Sequence, residues 1–223
     1  MSDGHAIDPA PDCALCPRLA KFRAENKSAY PEYFNAPAPS FGPRNAALLI
    51  VGLAPGLHGA NRTGRAFTGD ASGDLLYATL AKFGLSNNRY ASAANDGLRL
   101  KQTAITNAVR CLPPGNKPNG EEIRTCRPFL TNQIKRMKNL RAILCLGRIA
   151  HASTVAALDI KQKDAPFSHG ARHPVLATQI MLFDSYHCSR YNTNTGRLTA
   201  RMFENVFATM KTCIEIAPAI AAE

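Results

Sequence analysis

Four stretches of the chain are rich in apolar residues and of strand length: 46–53 (AALLIVGL), 101–109 (KQTAITNAV), 141–147 (RAILCLG) and 178–187 (TQIMLFDSYH). Largely continuous apolar runs of this kind indicate strands covered on both faces, as in a parallel sheet, rather than half-exposed ribbons. The segments between them repeat apolar residues every three or four positions. Leu76, Leu80 and Phe83 share one helical face, with Gly84 as a C-terminal stop. Leu130, Ile134 and Met137 form a second such face. Leu198, Met202, Phe203, Val206, Phe207 and Met210 mark a long final helix. A short helix is predicted over 17–27 (PRLAKFRAENK), with Leu19, Phe22 and Arg23 on one side. Asn119 followed by Glu122 reads as a capping box, and Pro128 predicts that the helix beginning there restarts.

Strands alternating with helices give an α/β fold: a three-layer α/β/α sandwich around a four-stranded parallel sheet. One domain is expected over 13–215, with residues 1–12 a fraying terminus and 216–223 a tail. Ligands of such sheets bind beyond the C-terminal ends of the strands. That rule selects the loop after Leu53, the segment Asn107 to Cys111, the turn at Gly147, and Tyr186 to Gly196.

Composition adds a direction. Of 223 residues, 27 are Lys or Arg against 16 Asp or Glu, a net charge of +11. The basic residues are dispersed and form no tail, so a folded basic face is expected. It suits a polyanion such as nucleic acid, though a generally basic soluble protein has the same balance. The N-terminus carries no secretory pattern, and the longest apolar run, AALLIVGLA, is far too short to cross a bilayer. A cytoplasmic location follows, and seven cysteines there need a reason other than disulfides.

Cys13 and Cys16 form C-x2-C, while Cys111 and Cys126 flank a Pro/Gly-rich segment. Two such pairs complete a tetrahedral thiolate site for zinc or an iron–sulfur cluster alike. Buried small apolar positions are the other reading, and the one taken for Cys145 and Cys213. His187 ends the fourth strand and precedes a Ser/Asn/Thr-rich loop. From there it can donate a hydrogen bond to charge developing on a substrate, or sit satisfied in the core. Asn107 ends the second strand and offers donors and an acceptor in one plane, which suits a nucleobase edge and equally a turn. Phe67, among glycines in RTGRAFTGD, has a ring fit to stack on another or to anchor its loop.

Taken together, GLAPGLHGANRTGRAFTGD, ITNAVRC, LPPGNKP and SYHCSRYNTNTGRLT, in that order and with the four cysteines, resemble the iron–sulfur uracil-DNA glycosylases, and within them the type 5 branch. The resemblance runs from about Cys13 to about Met210. It implies the sandwich fold and a structural [4Fe–4S] cluster on Cys13, Cys16, Cys111 and Cys126. It also implies DNA containing uracil or another deaminated base as substrate; apart from the resemblance, monomeric action on DNA is the simplest expectation. By the same resemblance Phe67 stacks on the extruded base, Asn107 reads the pyrimidine edge, and His187 lies beside the base carbonyl. Gly52 and Ala54 frame the base pocket. Ser189, Arg190, Tyr191, Asn192 and Thr193 form the loop that enters the duplex as the base flips out.

Many relatives in this group carry an acidic or amide residue where this chain has Ala54. The chemistry must then lean on the departing base: early bond breaking leaves an oxocarbenium ion and a base anion, which His187 and backbone N–H groups stabilise. Asn61 is the first candidate for placing the water and Asp70 the second. Hypoxanthine and xanthine are expected as further substrates. One departure stands out: Cys188 occupies the position where the family usually has proline after the histidine, an oxidisable residue and a softer loop. A non-catalytic module binding damaged or single-stranded DNA is the rival reading, and a zinc-stabilised nucleotide-binding enzyme a third.

Overall fold

The computed structural model describes residues 6–215. Its helices are α1 (Pro17–Ala29), α2 (Ala60–Thr63), α3 (Ala71–Lys82), α4 (Gly120–Arg136), α5 (Arg148–Ala157), α6 (Arg190–Asn194) and α7 (Ala200–Glu215). Its strands are β1 (Leu48–Gly52), β2 (Thr103–Asn107), β3 (Ala142–Leu146), β4 (Arg172–Pro174) and β5 (Met181–Ser185). They form one sheet in the order β2-β1-β3-β5-β4. β1, β2, β3 and β5 run parallel, with Leu48 opposite both Thr103 and Ala142, and Ala142 opposite Met181.

These four parallel strands are the four expected. The fifth, β4, pairs antiparallel with β5 at the sheet's edge. Its residues Arg-His-Pro are too few and too polar to leave a hydrophobic pattern, so nothing in the sequence announced it.

Every residue of β1, β2 and β3 is buried. Because side chains alternate along a strand, Leu48 and Ile50 face one layer while Leu49 and Val51 face the other. On the first side Leu76, Tyr77 and Leu80 of α3 pack with Phe203, Val206 and Phe207 of α7. On the second, Leu130 and Ile134 of α4 pack with Ala150 and Val155 of α5. Each fully buried Leu or Ile contributes about 2 kcal/mol relative to exposure. A third, smaller cluster joins Leu19, Val109, Cys111, Cys126 and Phe129.

Two local expectations change. α4 is one continuous helix with Pro128 inside it rather than a helix that restarts. Proline removes one backbone donor, but Phe129, Leu130, Gln133 and Ile134 bury the face beyond it, and that packing carries the helix through. The start of α4 is as expected: Asn119 accepts from the Glu122 N–H and Glu122 accepts from the Asn119 N–H, both at 2.8 Å. The segment expected to fray is held from residue 6 onward. Asp8 pairs with the buried Arg110 and accepts from the Ser40 N–H and hydroxyl, while Asn132 donates to the Ala6 carbonyl. The expected tail, 216–223, lies outside the described residues. Among the described residues no helix is long and apolar enough to cross a membrane.

Candidate active site

Past the C-terminal ends of β1 and β2 lies a cavity of about 280 Å³. Ala54, Phe67, Asp70, Ser72, Asn107 and His187 are among the residues that line it. These come from segments far apart in sequence, and the parallel register gathers them: Gly52 of β1 sits directly beside Asn107 of β2.

Gly52 shows how closely Asn107 and Phe67 pack. A methyl group on it would collide with the Asn107 Oδ1 and lie 2.7 Å from the edge of the Phe67 ring. Phe67 itself adopts φ +54°, a left-handed conformation that an aromatic residue rarely takes. Its neighbours enforce it. Tyr77 donates its hydroxyl to the Ala66 carbonyl at 2.6 Å, and Arg65 donates its Nε to the Thr68 hydroxyl at 2.7 Å. Arg65 is in turn fixed by a two-pronged pair with Asp96, at 2.8 and 2.7 Å. The Arg65 guanidinium holds the Asp96 carboxyl well below the usual carboxylate range, against the opposing effect of burial. Strain of this kind persists only where its surroundings over-determine it, and it collects at functional sites.

The Phe67 and His187 rings lie nearly parallel, 27° apart, with centroids separated by 5.8 Å. His187 lines the cavity and is partly buried. Protein crowds it otherwise, and this desolvation lowers its pKa, with Asp70 pulling weakly the other way. A neutral imidazole at neutral pH follows, one that can donate a hydrogen bond without carrying charge. The backbone behind it is tied down, because Asn192 donates its side-chain amide to the His187 carbonyl at 2.8 Å.

Asp70 caps α3, accepting from the Ser72 N–H at 3.0 Å, and lines the cavity. Asn61 does not. It is buried behind the cavity wall and donates its amide to Asn35 Oδ1 at 2.9 Å. Asn61 is thus engaged in a wall contact, and Asp70 is the carboxylate among the cavity residues. Ser72 lines the cavity and was missed; its signal is its place two residues after a capping Asp. Cys188 is buried in the core, and burial pushes its thiol up to about 12. A thiol so held is protonated and shielded, which argues against ready oxidation.

The loop expected to meet DNA includes the short helix α6. Ser189 caps it, Thr193 bonds back to Ser189 and Arg190 carbonyls, Arg190 is exposed, and Tyr191 is 71% exposed. Asn192 faces inward to His187 instead of outward.

The four cysteines also come together. Cys13, Cys16, Cys111 and Cys126 line a second cavity, of about 320 Å³, whose other walls are mostly apolar, among them Leu19, Val109 and Phe129. Cys16 precedes α1 and Cys126 lies in α4; the Arg18–Glu122 pair, at 2.7 and 2.8 Å, bolts these two helices together. Two sulfurs already accept hydrogen bonds: Cys126 from the Arg110 N–H at 3.4 Å and Cys111 from Arg23 at 3.5 Å. Burial pushes Cys111 up to about 12 and Cys16 to about 11, and the thiols raise one another further. Four soft donors converging on an apolar cavity, with N–H groups aimed at sulfur, fit a metal–sulfur group whose positive charge replaces the protons.

The family model described as the uracil DNA glycosylase superfamily matches residues 39–211. The chain is 45% identical over 204 residues to a type-5 uracil-DNA glycosylase of Thermus thermophilus, covering 89% of this chain and 92% of that one. It is 39% identical over 199 residues to a type-5 uracil-DNA glycosylase of Pyrobaculum aerophilum, covering 87% and 86%. A type-4 uracil-DNA glycosylase of the same organism is 36% identical over 140 residues, 62% of this chain and 57% of that one.

Proposed function

The chain belongs to the uracil DNA glycosylase superfamily, and on that premise we propose that it hydrolyses the N-glycosidic bond of uracil in DNA, leaving an abasic site. The observation that carries this reading is the single cavity of about 280 Å³ in which Phe67, Asp70, Asn107 and His187 meet. The target nucleotide flips out, because the glycosidic carbon cannot be reached inside a stacked duplex. Phe67 supplies the face on which the base stacks. Asn107 reads the base edge with its amide. As the bond breaks, negative charge gathers on the base, and neutral His187 donates a hydrogen bond to it. Asp70 holds the water that captures the oxocarbenium ion and stabilises that ion's positive charge. Ala54 places no acidic or amide side chain at the mouth, and hypoxanthine or xanthine is taken as well.

Cys13, Cys16, Cys111 and Cys126 hold a [4Fe–4S] cluster, which when bound supplies a structural anchor for the segment between Cys111 and Cys126. Arg190, exposed Tyr191 and their neighbours meet the duplex. The chain acts as a cytoplasmic monomer.

A labelled duplex bearing one uracil, treated with the protein and then alkali, tests the reading. A cut strand is expected, abolished in His187→Ala and Asn107→Ala. An intact strand from brown protein that still binds DNA would transfer the assignment to a non-catalytic DNA-binding module. In single turnovers Asp70→Asn slows cleavage while Asn61→Ala leaves it nearly unchanged; the reverse result would move the water to Asn61. An inosine duplex left intact would confine the substrate to uracil.

A further inference from the structure

Beneath α5, apart from both the base pocket and the cysteines, three polar side chains converge. They are His151 of α5, His173 of β4 and Asp184 of β5, and their ligand atoms all lie within 4.8 Å of one another. Asp184 and His151 are buried and His173 nearly so.

The hydrogen bonds fix what these groups present. His151 Nε2 is 2.8 Å from the Ala165 carbonyl oxygen. A carbonyl only accepts, so Nε2 carries the proton and a neutral ring offers its lone pair at Nδ1. That Nδ1 lies 2.7 Å from Asp184 Oδ1, and His173 Nε2 lies 3.3 Å from Asp184 Oδ2. Each of these nitrogens meets the buried carboxylate either through a proton on the ring or through a cation held between them.

We propose that the cation is a divalent metal ion of the zinc class, bound by His151 Nδ1, His173 Nε2 and Asp184, with water completing its coordination. A single metal ion takes both nitrogens and the carboxylate at once, in place of two separate ring protons. Two imidazoles and a carboxylate are the donor set zinc takes. The outer N–H of His151, anchored on a carbonyl, is the support that metal-bound histidines regularly have. The three donors come from three elements, so the ion ties α5 and the edge strand β4 to β5. Asp184 is three residues before His187, and Gly147, at the head of α5, packs 3.6 Å from the His187 Cβ if given a methyl group. The ion is thus a structural fastener beneath the end of the strand that presents His187.

The test uses the purified holoprotein, treated with a chelator and titrated with Zn2+ against a chromogenic competitor, with zinc and iron measured together. One zinc per chain is expected, with iron content unchanged and a raised Tm. In His173→Gln, the more accessible ligand, zinc affinity falls by at least about 100-fold, beyond what loss of an outer partner produces, and the zinc-dependent rise in Tm disappears. No zinc bound by the wild-type protein at micromolar concentration would overturn the proposal and leave a proton-bridged cluster. Binding that survives His173→Gln, or that displaces iron, would place the zinc on the thiols and overturn it equally.

Discussion

A methyl group on Gly52 would collide with the Asn107 amide and the edge of Phe67, the two groups proposed to hold the base, and push them aside. Gly52→Ala should therefore fold, keep its iron and lose about 100-fold in cleavage rate, the scale of loss that a displacement of about 1 Å produces; circular dichroism beside the duplex assay checks both halves. His187 carries a pH signature. Burial lowers its folded pKa below the ordinary value of 6.5, so in acid the unfolded chain binds the extra proton and the folded one resists it. Its contribution to stability is then constant above about pH 6.5 and is lost as pH falls below that value toward the folded pKa. Urea melts between pH 7.5 and 5 should show this slope in the wild type, and a shallower one in His187→Gln. At this scale the sequence was a good guide to residue types and a poor one to facing. His187, Asn107 and Phe67 stand at strand ends or among glycines, where their chemistry is readable. Asn61 and Asp70 are both polar residues of one loop, and only the fold reveals that the first turns into a wall contact with Asn35.

Helices and strands show which local signals survive tertiary context. Asn119 with Glu122 fixed the start of α4 from four residues alone, because a cap is a local hydrogen-bonding event. Pro128 misled for the opposite reason: its penalty is local, while the packing that overrides it comes from the sheet. The N-terminal segment misled similarly. Nothing in its Pro- and Asp-containing sequence reveals that Asp8 is the counter-ion of Arg110, whose side chain is 1% exposed. Asp8→Ala leaves that guanidinium buried with fewer partners, and the loss should be about 3 kcal/mol. The urea midpoint should drop with no change in slope. Since the Arg110 N–H bonds to Cys126, iron retention should weaken in the same variant.

As a whole, the chain carries a net charge of +11. Affinity for undamaged duplex should fall steeply and linearly with log salt as counterions are released. Arg190→Ala, at the exposed start of α6, should reduce that slope by about one unit without changing preference among sequences; an unchanged slope would put Arg190 away from the phosphates. The sandwich was legible because continuous apolar runs report burial on both faces, while β4 was not, since an edge strand of three polar residues carries no such signal. The pairing of the sheet has a further consequence, for synthesis. Every parallel ladder joins strands dozens of residues apart, as Leu48 with Thr103 and Leu48 with Ala142 show. The one local pairing is the edge hairpin of β4 with β5; the parallel core has none, and chains dominated by such distant pairings fold slowly. During translation the base pocket is completed last: Ala54, Phe67, Asp70 and Asn107 are made long before His187, so a chain cut short before β5 lacks the group that closes the lining.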